Sequence, residues 1–264
     1  MRTSSSAVNS NLLWFDHLSR TQTALPRLFC FPYAGGSAEV YRSWQRWFPE
    51  QVDVCLVHLP GRGKRMNEPA FTHVAPLAKA IVDRIADEIG VPYALYGHSM
   101  GATIAFEVAR ELARRRCNGP RHLFVSGNRA PQWPRTEPQT FHLPHDEFVA
   151  ALKRLNGTPT EILDNPELME LFIGVLRADF QMVETYEYSP EERLSCPITV
   201  YGGIDDTSVP QASCRAWQEQ TTAHCKLTMV KGDHFFIRDP QPGFKPAFQK
   251  DVLTAISTSR TQEI

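Results

Sequence analysis

Cysteine is sparse and patternless in this 264-residue chain. Its six thiols, Cys30, Cys55, Cys117, Cys196, Cys214 and Cys225, show no CxxC and no Cys/His ligand spacing. That excludes a zinc ribbon, a redox pair and a disulfide framework, and it points to reduced thiols in a cytoplasmic protein. A surplus of one charge is also missing: 28 basic side chains face 29 acidic ones, for a formal net charge of −1. A nucleic-acid binder would carry a basic excess over the whole domain. The opening segment MRTSSSAVNSNLLWFDHLSR has no apolar run of about 7–15 residues, so neither a secretory signal nor a membrane anchor is expected. Internal repeats and low-complexity tracts are absent too, apart from a Ser-rich start and a polar tail after Ser257, both expected to fray.

What remains is the composition of an ordinary globular domain, 42% hydrophobic and 22% charged. A chain of this length buries about three quarters of its unfolded surface and needs no metal or disulfide to fold. Residues 1–264 therefore read as one domain. Its charge is uneven, since residues 141–193 hold 11 acidic and 4 basic side chains.

Short apolar runs at 27–31, 52–59, 93–97, 122–127, 197–203 and 225–230 read as strands without a wet face, as in a parallel sheet covered on both sides. Between them, Leu77, Ile81, Ile85 and Ile89 recur every four residues and close at Gly90, and a second helix is expected from Met100 to Arg116. This alternation predicts an α/β fold with a mostly parallel, doubly covered sheet and ligands at the strands' C-terminal ends. The alternation breaks between 128 and 195. There Phe148, Leu152 and Leu155 form one helical stripe ending at Asn156-Gly157, and Asn165-Pro166 caps a second helix with Leu168, Leu171, Phe172 and Val175 on one face. Residues 132–195 read as a helical lid inserted in the domain.

The strongest chemical signal is Gly97-His98-Ser99-Met100-Gly101, a GxSxG between a strand and a helix. The glycines permit a sharp turn that lifts Ser99 Oγ clear of the sheet, and the helix N-terminus offers donors to an oxyanion. A serine nucleophile needs a histidine base at the same sheet edge. His122 and His224 precede their strands, and His142 and His145 lie in the insert. His234, after the 225–230 strand, fits the position, while His98 and His58 at that edge read as structural hydrogen-bonders. The acid should follow another strand. Segment 122–131 offers none, whereas GGIDDTSVP offers Asp205 and Asp206. The order Ser…Asp…His is that of α/β-hydrolases. For the oxyanion hole, one N–H belongs to Met100 and the other to the PYAGGS loop, from Tyr33 or, as a fallback, Ala34. That loop lacks the Gly-Lys-Ser/Thr ending and the GxGxxG spacing of a phosphate loop.

Taken together, FCFPYAGGSA, LPGRGKRMNEP, LYGHSMGA, RLNGTPTEIL with LRADF, GGIDDTSVP and GDHFFI resemble the type II thioesterases, stand-alone enzymes that accompany nonribosomal peptide and polyketide synthases. The resemblance extends from about residue 28 to 238. It implies an α/β-hydrolase fold with a mobile helical lid, no cofactor, and hydrolysis of acyl groups from the phosphopantetheine arm of acyl or peptidyl carrier proteins. It also implies a monomer that clears stalled or mis-primed chains. In the family the acid stands three residues before a Val, which selects Asp206, ahead of Val209. One departure lies in the lid, which reads GVLRADF where a Pro is expected before Leu-Arg.

Lid residues Phe148, Leu152, Leu155, Leu171, Phe172 and Phe180 are candidates to line an acyl pocket, two or three of them touching the chain, with Ala34 and Phe235 from the body. Arg62, Lys64 and Arg65 read either as a docking patch for an acidic carrier or as a solvated loop. Arg114, Arg115 and Arg116 lie about 22 Å along a helix from Ser99 and read as structural cations at its C-terminus. Rival functions are a carboxylesterase or lipase-like hydrolase acting on oxoesters, an idle hydrolase fold serving as a binding module, and a product-cyclising domain. The last is disfavoured by the lack of a carrier-like segment.

Overall fold

A computed structural model describes residues 13–19, 24–155, 164–238 and 243–257. Its strands are β1 (Phe15–His17), β2 (Arg27–Phe31), β3 (Asp53–Val57), β4 (Tyr93–His98), β5 (His122–Ser126), β6 (Ile198–Gly203) and β7 (Cys225–Val230). They form one sheet in the order β1-β3-β2-β4-β5-β6-β7, parallel throughout except for β1, which pairs antiparallel with β3. Helices are α1 (Val74–Ile85), α2 (Met100–Arg114), α3 (His145–Leu155), α4 (Pro166–Glu184), α5 (Gln211–Arg215) and α6 (Phe244–Ser257), with a 3-10 helix at Ala38–Trp47. The six expected strands are all present. Among the described residues, no helix is long and apolar enough to cross a membrane.

The central strands are mostly apolar and buried at nearly every position because both faces are covered. On β2, Phe29 and Phe31 pack under α1 and α2 with Leu77, Ile81 and Ile85, while Leu28 and Cys30 face the opposite layer. That second layer consists of the 3-10 helix and α6, neither of which the strand and helix patterns had suggested. Phe244, Phe248, Val252 and Ile256 recur every four residues on α6 and are buried. Phe248 lies 5.0 Å from the Tyr96 ring and 5.1 Å from Trp44, so aromatic edges cement the layer to β4.

The insert between β5 and β6 holds α3 and α4. Asn165 caps α4 as expected, its Oδ1 accepting from the N–H groups of Glu167 and Leu168, with Pro166 in the first turn. The buried face of α4 differs from expectation. Its buried residues are Met169, Leu176, Ala178, Asp179, Met182 and Glu184, while Leu171 is 57% exposed. Hydrophobicity alone misplaced the stripe because a charged residue, Asp179, belongs to it. The expected stop at Asn156-Gly157 and the 258–264 tail lie outside the described residues. At the end of α2, Arg114 pairs with Glu107, Glu111 and Glu191, and Arg115 pairs with Glu111 and Asp83, in keeping with a structural reading.

The antiparallel edge is held by charge. His17 Nδ1 lies 2.6 Å from Asp53 and its Nε2 3.1 Å from Glu88, which also takes a 2.7 Å bond from Arg27. Hydrogen bonds to the two carboxylates raise the His17 pKa to about 9. A raised histidine pKa stabilises the fold fully below its unfolded value near 6.5, and that contribution is lost as pH climbs through 9. Urea unfolding should therefore show stability declining between about pH 6.5 and 9, and His17→Gln should flatten that part of the profile.

Candidate active site

Ser99 stands between β4 and α2 with φ 52° and ψ −120°, a backbone conformation rare for a residue with a side chain. The flanking glycines make this turn possible. A Cβ on Gly97 would lie 2.0 Å from the Gly101 carbonyl oxygen, and one on Gly101 would lie 2.1 Å from that of Phe31. The turn is fastened by Ser99 N–H donating to the Ser126 carbonyl at 2.8 Å.

His234 follows β7, and its Nδ1 is 2.7 Å from Asp206 Oδ2. Of the adjacent acids it is Asp206 that meets the imidazole. Asp205 is exposed and closes a turn with Gly232 through its backbone N–H and its carboxylate. The other Asp206 oxygen accepts from Ser208 N–H, Ser208 Oγ–H and Val209 N–H. Burial alone would raise the Asp206 pKa, but the bonds from His234 and Ser208 outweigh it and bring the value down to about 2. Ser208 was not singled out from sequence, although it lies within GGIDDTSVP. Beneath His234, at 5.2 Å between rings, lies His98, which burial pushes well toward the neutral form. Its Nδ1 is 2.9 Å from Ser126 Oγ, and Gly127 leaves room for its ring, since a Cβ there would meet Cε1 at 2.4 Å.

Ser99, Asp206 and His234 line one cavity of about 540 Å³ together with Tyr33 and Ala34. In the loop after β2, the Tyr33 carbonyl accepts from Gly36 N–H at 2.9 Å, closing a turn beside Ser99. The Tyr33 ring packs on His98 and Phe235, and its hydroxyl accepts from Arg238 Nε. Met100 is buried at the first turn of α2.

Of the expected acyl-pocket residues, Leu152, Phe180, Ala34 and Phe235 line the cavity. Phe148 and Phe172 do not. Phe148 is wholly buried in the insert's own small core, edge-on to Phe180 and under the Arg177 guanidinium, and Phe172 packs against that core. Their helical spacing served packing within the insert. Polar groups that sequence reasoning did not anticipate complete the wall, among them Arg129, Arg135, Glu137 and Glu184.

Two of the three cations in the loop after β3 are buried in ion pairs and not presented to solvent. Arg62, 6% exposed, forms a two-pronged pair with Asp179 at 2.5 and 2.6 Å. Arg65 is also buried, paired with Glu68 and stacked on Trp14, and only Lys64, beside Asp16, has an exposed head.

The sequence profile of the thioesterase domain matches residues 26–247. Gramicidin S biosynthesis protein GrsT of Aneurinibacillus migulanus is 41% identical over 224 residues, 85% of this chain and 88% of that protein. The protein named linear gramicidin dehydrogenase LgrE, of Brevibacillus parabrevis, is 40% identical over 231 residues, 86% of this chain and 88% of its own. Among solved structures, the type II thioesterase BorB from the borrelidin biosynthetic cluster aligns with a TM-score of 0.83 at 31% identity, over 97% of this chain and 100% of that one.

The backbone contact at the serine turn is testable by urea unfolding. Gly101→Ala should lower the unfolding free energy by more than about 2 kcal/mol, because backbone on both sides must shift. Gly90→Ala, whose Cβ would meet nothing within 4 Å, should change it by less than about 1 kcal/mol.

Proposed function

The chain belongs to the thioesterase-domain family and is a thioester hydrolase on an α/β-hydrolase fold, and from that premise we propose that it is a type II thioesterase using Ser99, His234 and Asp206 as its triad. Its substrates are acyl groups carried on the phosphopantetheine arm of acyl or peptidyl carrier proteins in nonribosomal peptide or polyketide biosynthesis, where it clears stalled or mis-primed chains. The observation that carries this reading is the 2.7 Å His234–Asp206 bond in the cavity that Ser99 lines. With Nδ1 engaged by Asp206, Nε2 is the ring nitrogen left to meet a serine hydroxyl.

Ser99 Oγ attacks the thioester carbonyl as His234 Nε2 takes its proton. Asp206, ionised at every physiological pH, fixes the imidazole tautomer and stabilises the cation. Negative charge on the carbonyl oxygen is received by the N–H groups of Met100 and Tyr33, or of Ala34 in place of Tyr33. The C–S bond then breaks and His234 returns the proton to the departing pantetheine thiol, leaving acyl-Ser99. A water deprotonated by His234 releases the acid and restores the serine. These steps use side chains, backbone and water alone. Residues 132–195 act as the lid within a single 1–264 domain, a reading supported by Leu152, Phe180 and Val183 on the cavity wall.

Mass spectrometry of an acyl-loaded carrier protein gives the test. Wild type should return the carrier to its free-thiol form and Ser99→Ala should not. Cleavage of p-nitrophenyl esters with several acyl-carriers left intact would replace the carrier-editing role with an esterase. Asp206→Asn should lower kcat by about 10³–10⁴, while Asp205→Asn should leave it within about threefold, the ordinary range for an exposed surface change.

A further inference from the structure

We propose that Asp179, on lid helix α4, is a positioning residue that clamps the oxyanion loop in its working geometry, with Arg62 as its neutralising partner. This rests on the reading above, in which an N–H of Tyr33 or Ala34 receives the oxyanion.

Asp179 is 0% exposed, and both its oxygens are engaged. Oδ1 accepts from Arg62 Nη2 at 2.6 Å, while Oδ2 accepts from Arg62 Nη1 at 2.5 Å and from Gly35 N–H at 2.8 Å. Gly35 is the third residue of the turn that Tyr33 and Gly36 close, and its φ of +72° is the value such a turn reserves for glycine. The Ala34–Gly35 peptide therefore points its N–H at Asp179 on the helix. One turn before Asp179, Leu176 presses on the same residue, its Cδ2 2.6 Å from where a Gly35 Cβ would be. Two residues of α4 thus hold one peptide of the loop, and the adjacent N–H groups are oriented by it.

Charge explains why the clamp is a pair. An unneutralised carboxylate behind the oxyanion loop would oppose the negative charge that forms in front of it. Arg62 cancels that field while its Nη1 also reaches the Gly36 carbonyl at 3.5 Å. A buried ion pair is a poor source of stability compared with apolar side chains of similar size. Its retention here fits a role in placement, with a charge-assisted bond to a backbone N–H as the working contact.

The test uses Asp179→Asn and the double variant Arg62→Met/Asp179→Leu, which removes the clamp and leaves apolar filling. Each is assayed for kcat and KM on an acyl-N-acetylcysteamine thioester, for affinity toward an alkyl boronic acid that forms a tetrahedral adduct on Ser99, and toward a thioether analogue that cannot react. Thermal midpoints are recorded alongside. The clamp predicts kcat down about 10- to 100-fold in both variants with KM within about threefold, as for a displaced oxyanion donor. Boronate affinity should fall by the same factor and thioether affinity should hold. Wild-type kcat in the double variant overturns the inference. So does a loss in which kcat, thioether affinity and thermal midpoint fall together, or failure of both variants to fold. Ser99→Ala serves as control: if it stays active, the site assignment fails, and if it is inactive while the clamp variants match wild type, only the clamp fails.

Discussion

Between the end of β2 and the first turn of α2 there is no space for a side chain, because the Phe31 carbonyl oxygen occupies the place where a Gly101 Cβ would sit. The rest of the site follows from that contact. It draws α2 tightly against the sheet and forces the chain through a strained residue at Ser99. It also puts the loop leaving β2 alongside that residue. Because β2 and β4 are neighbours while their onward connections run to opposite sides of the sheet, a crevice opens at their C-terminal ends. Strands β5, β6 and β7 then follow in order, so the loops after β6 and β7 deliver Asp206 and His234 to the same edge.

The electrostatics of the edge are arranged around a single proton-accepting nitrogen. Asp206 receives four hydrogen bonds, of which one comes from the imidazole and three from its own turn, and this keeps it ionised although it is only 8% exposed. His98, its ring tilted against that of His234, is kept neutral by burial. A second cation there would compete with the imidazolium formed during reaction. The two histidines thus divide the work by environment, one reaching the cavity and the other supporting it.

The sheet and the candidate triad were legible because each lies in a contiguous signal. Apolar runs gave the strands, and topology put GxSxG, GGIDDTSVP and GDHFF at one edge, while the choice of Asp206 over Asp205 came from the family resemblance. Residues that act across long sequence separations were not legible. Arg62 read as a docking or solvated cation and Asp179 was not singled out, since 116 intervening residues separate partners that only the fold brings together. The same blindness rotated the inferred face of α4. The α6 stripe was missed for another reason: Phe244, Phe248, Val252 and Ile256 sit among polar residues after the last strand, where alternation no longer offers a frame.

The late position of α6 bears on how the molecule is made. All seven strands precede it in the chain, yet one face of the sheet, carrying Tyr96, Phe124 and Tyr201, is closed only when Phe244 and Phe248 arrive. A nascent chain in which the strands have paired but residues 244–257 are still being synthesised would present an aromatic surface to its surroundings. Such a surface is sticky toward other partly folded chains. Between the emergence of β7 and the docking of α6 the chain exposes that aromatic face, and the serine turn on β4 gains its full backing only once residues 244–257 have packed.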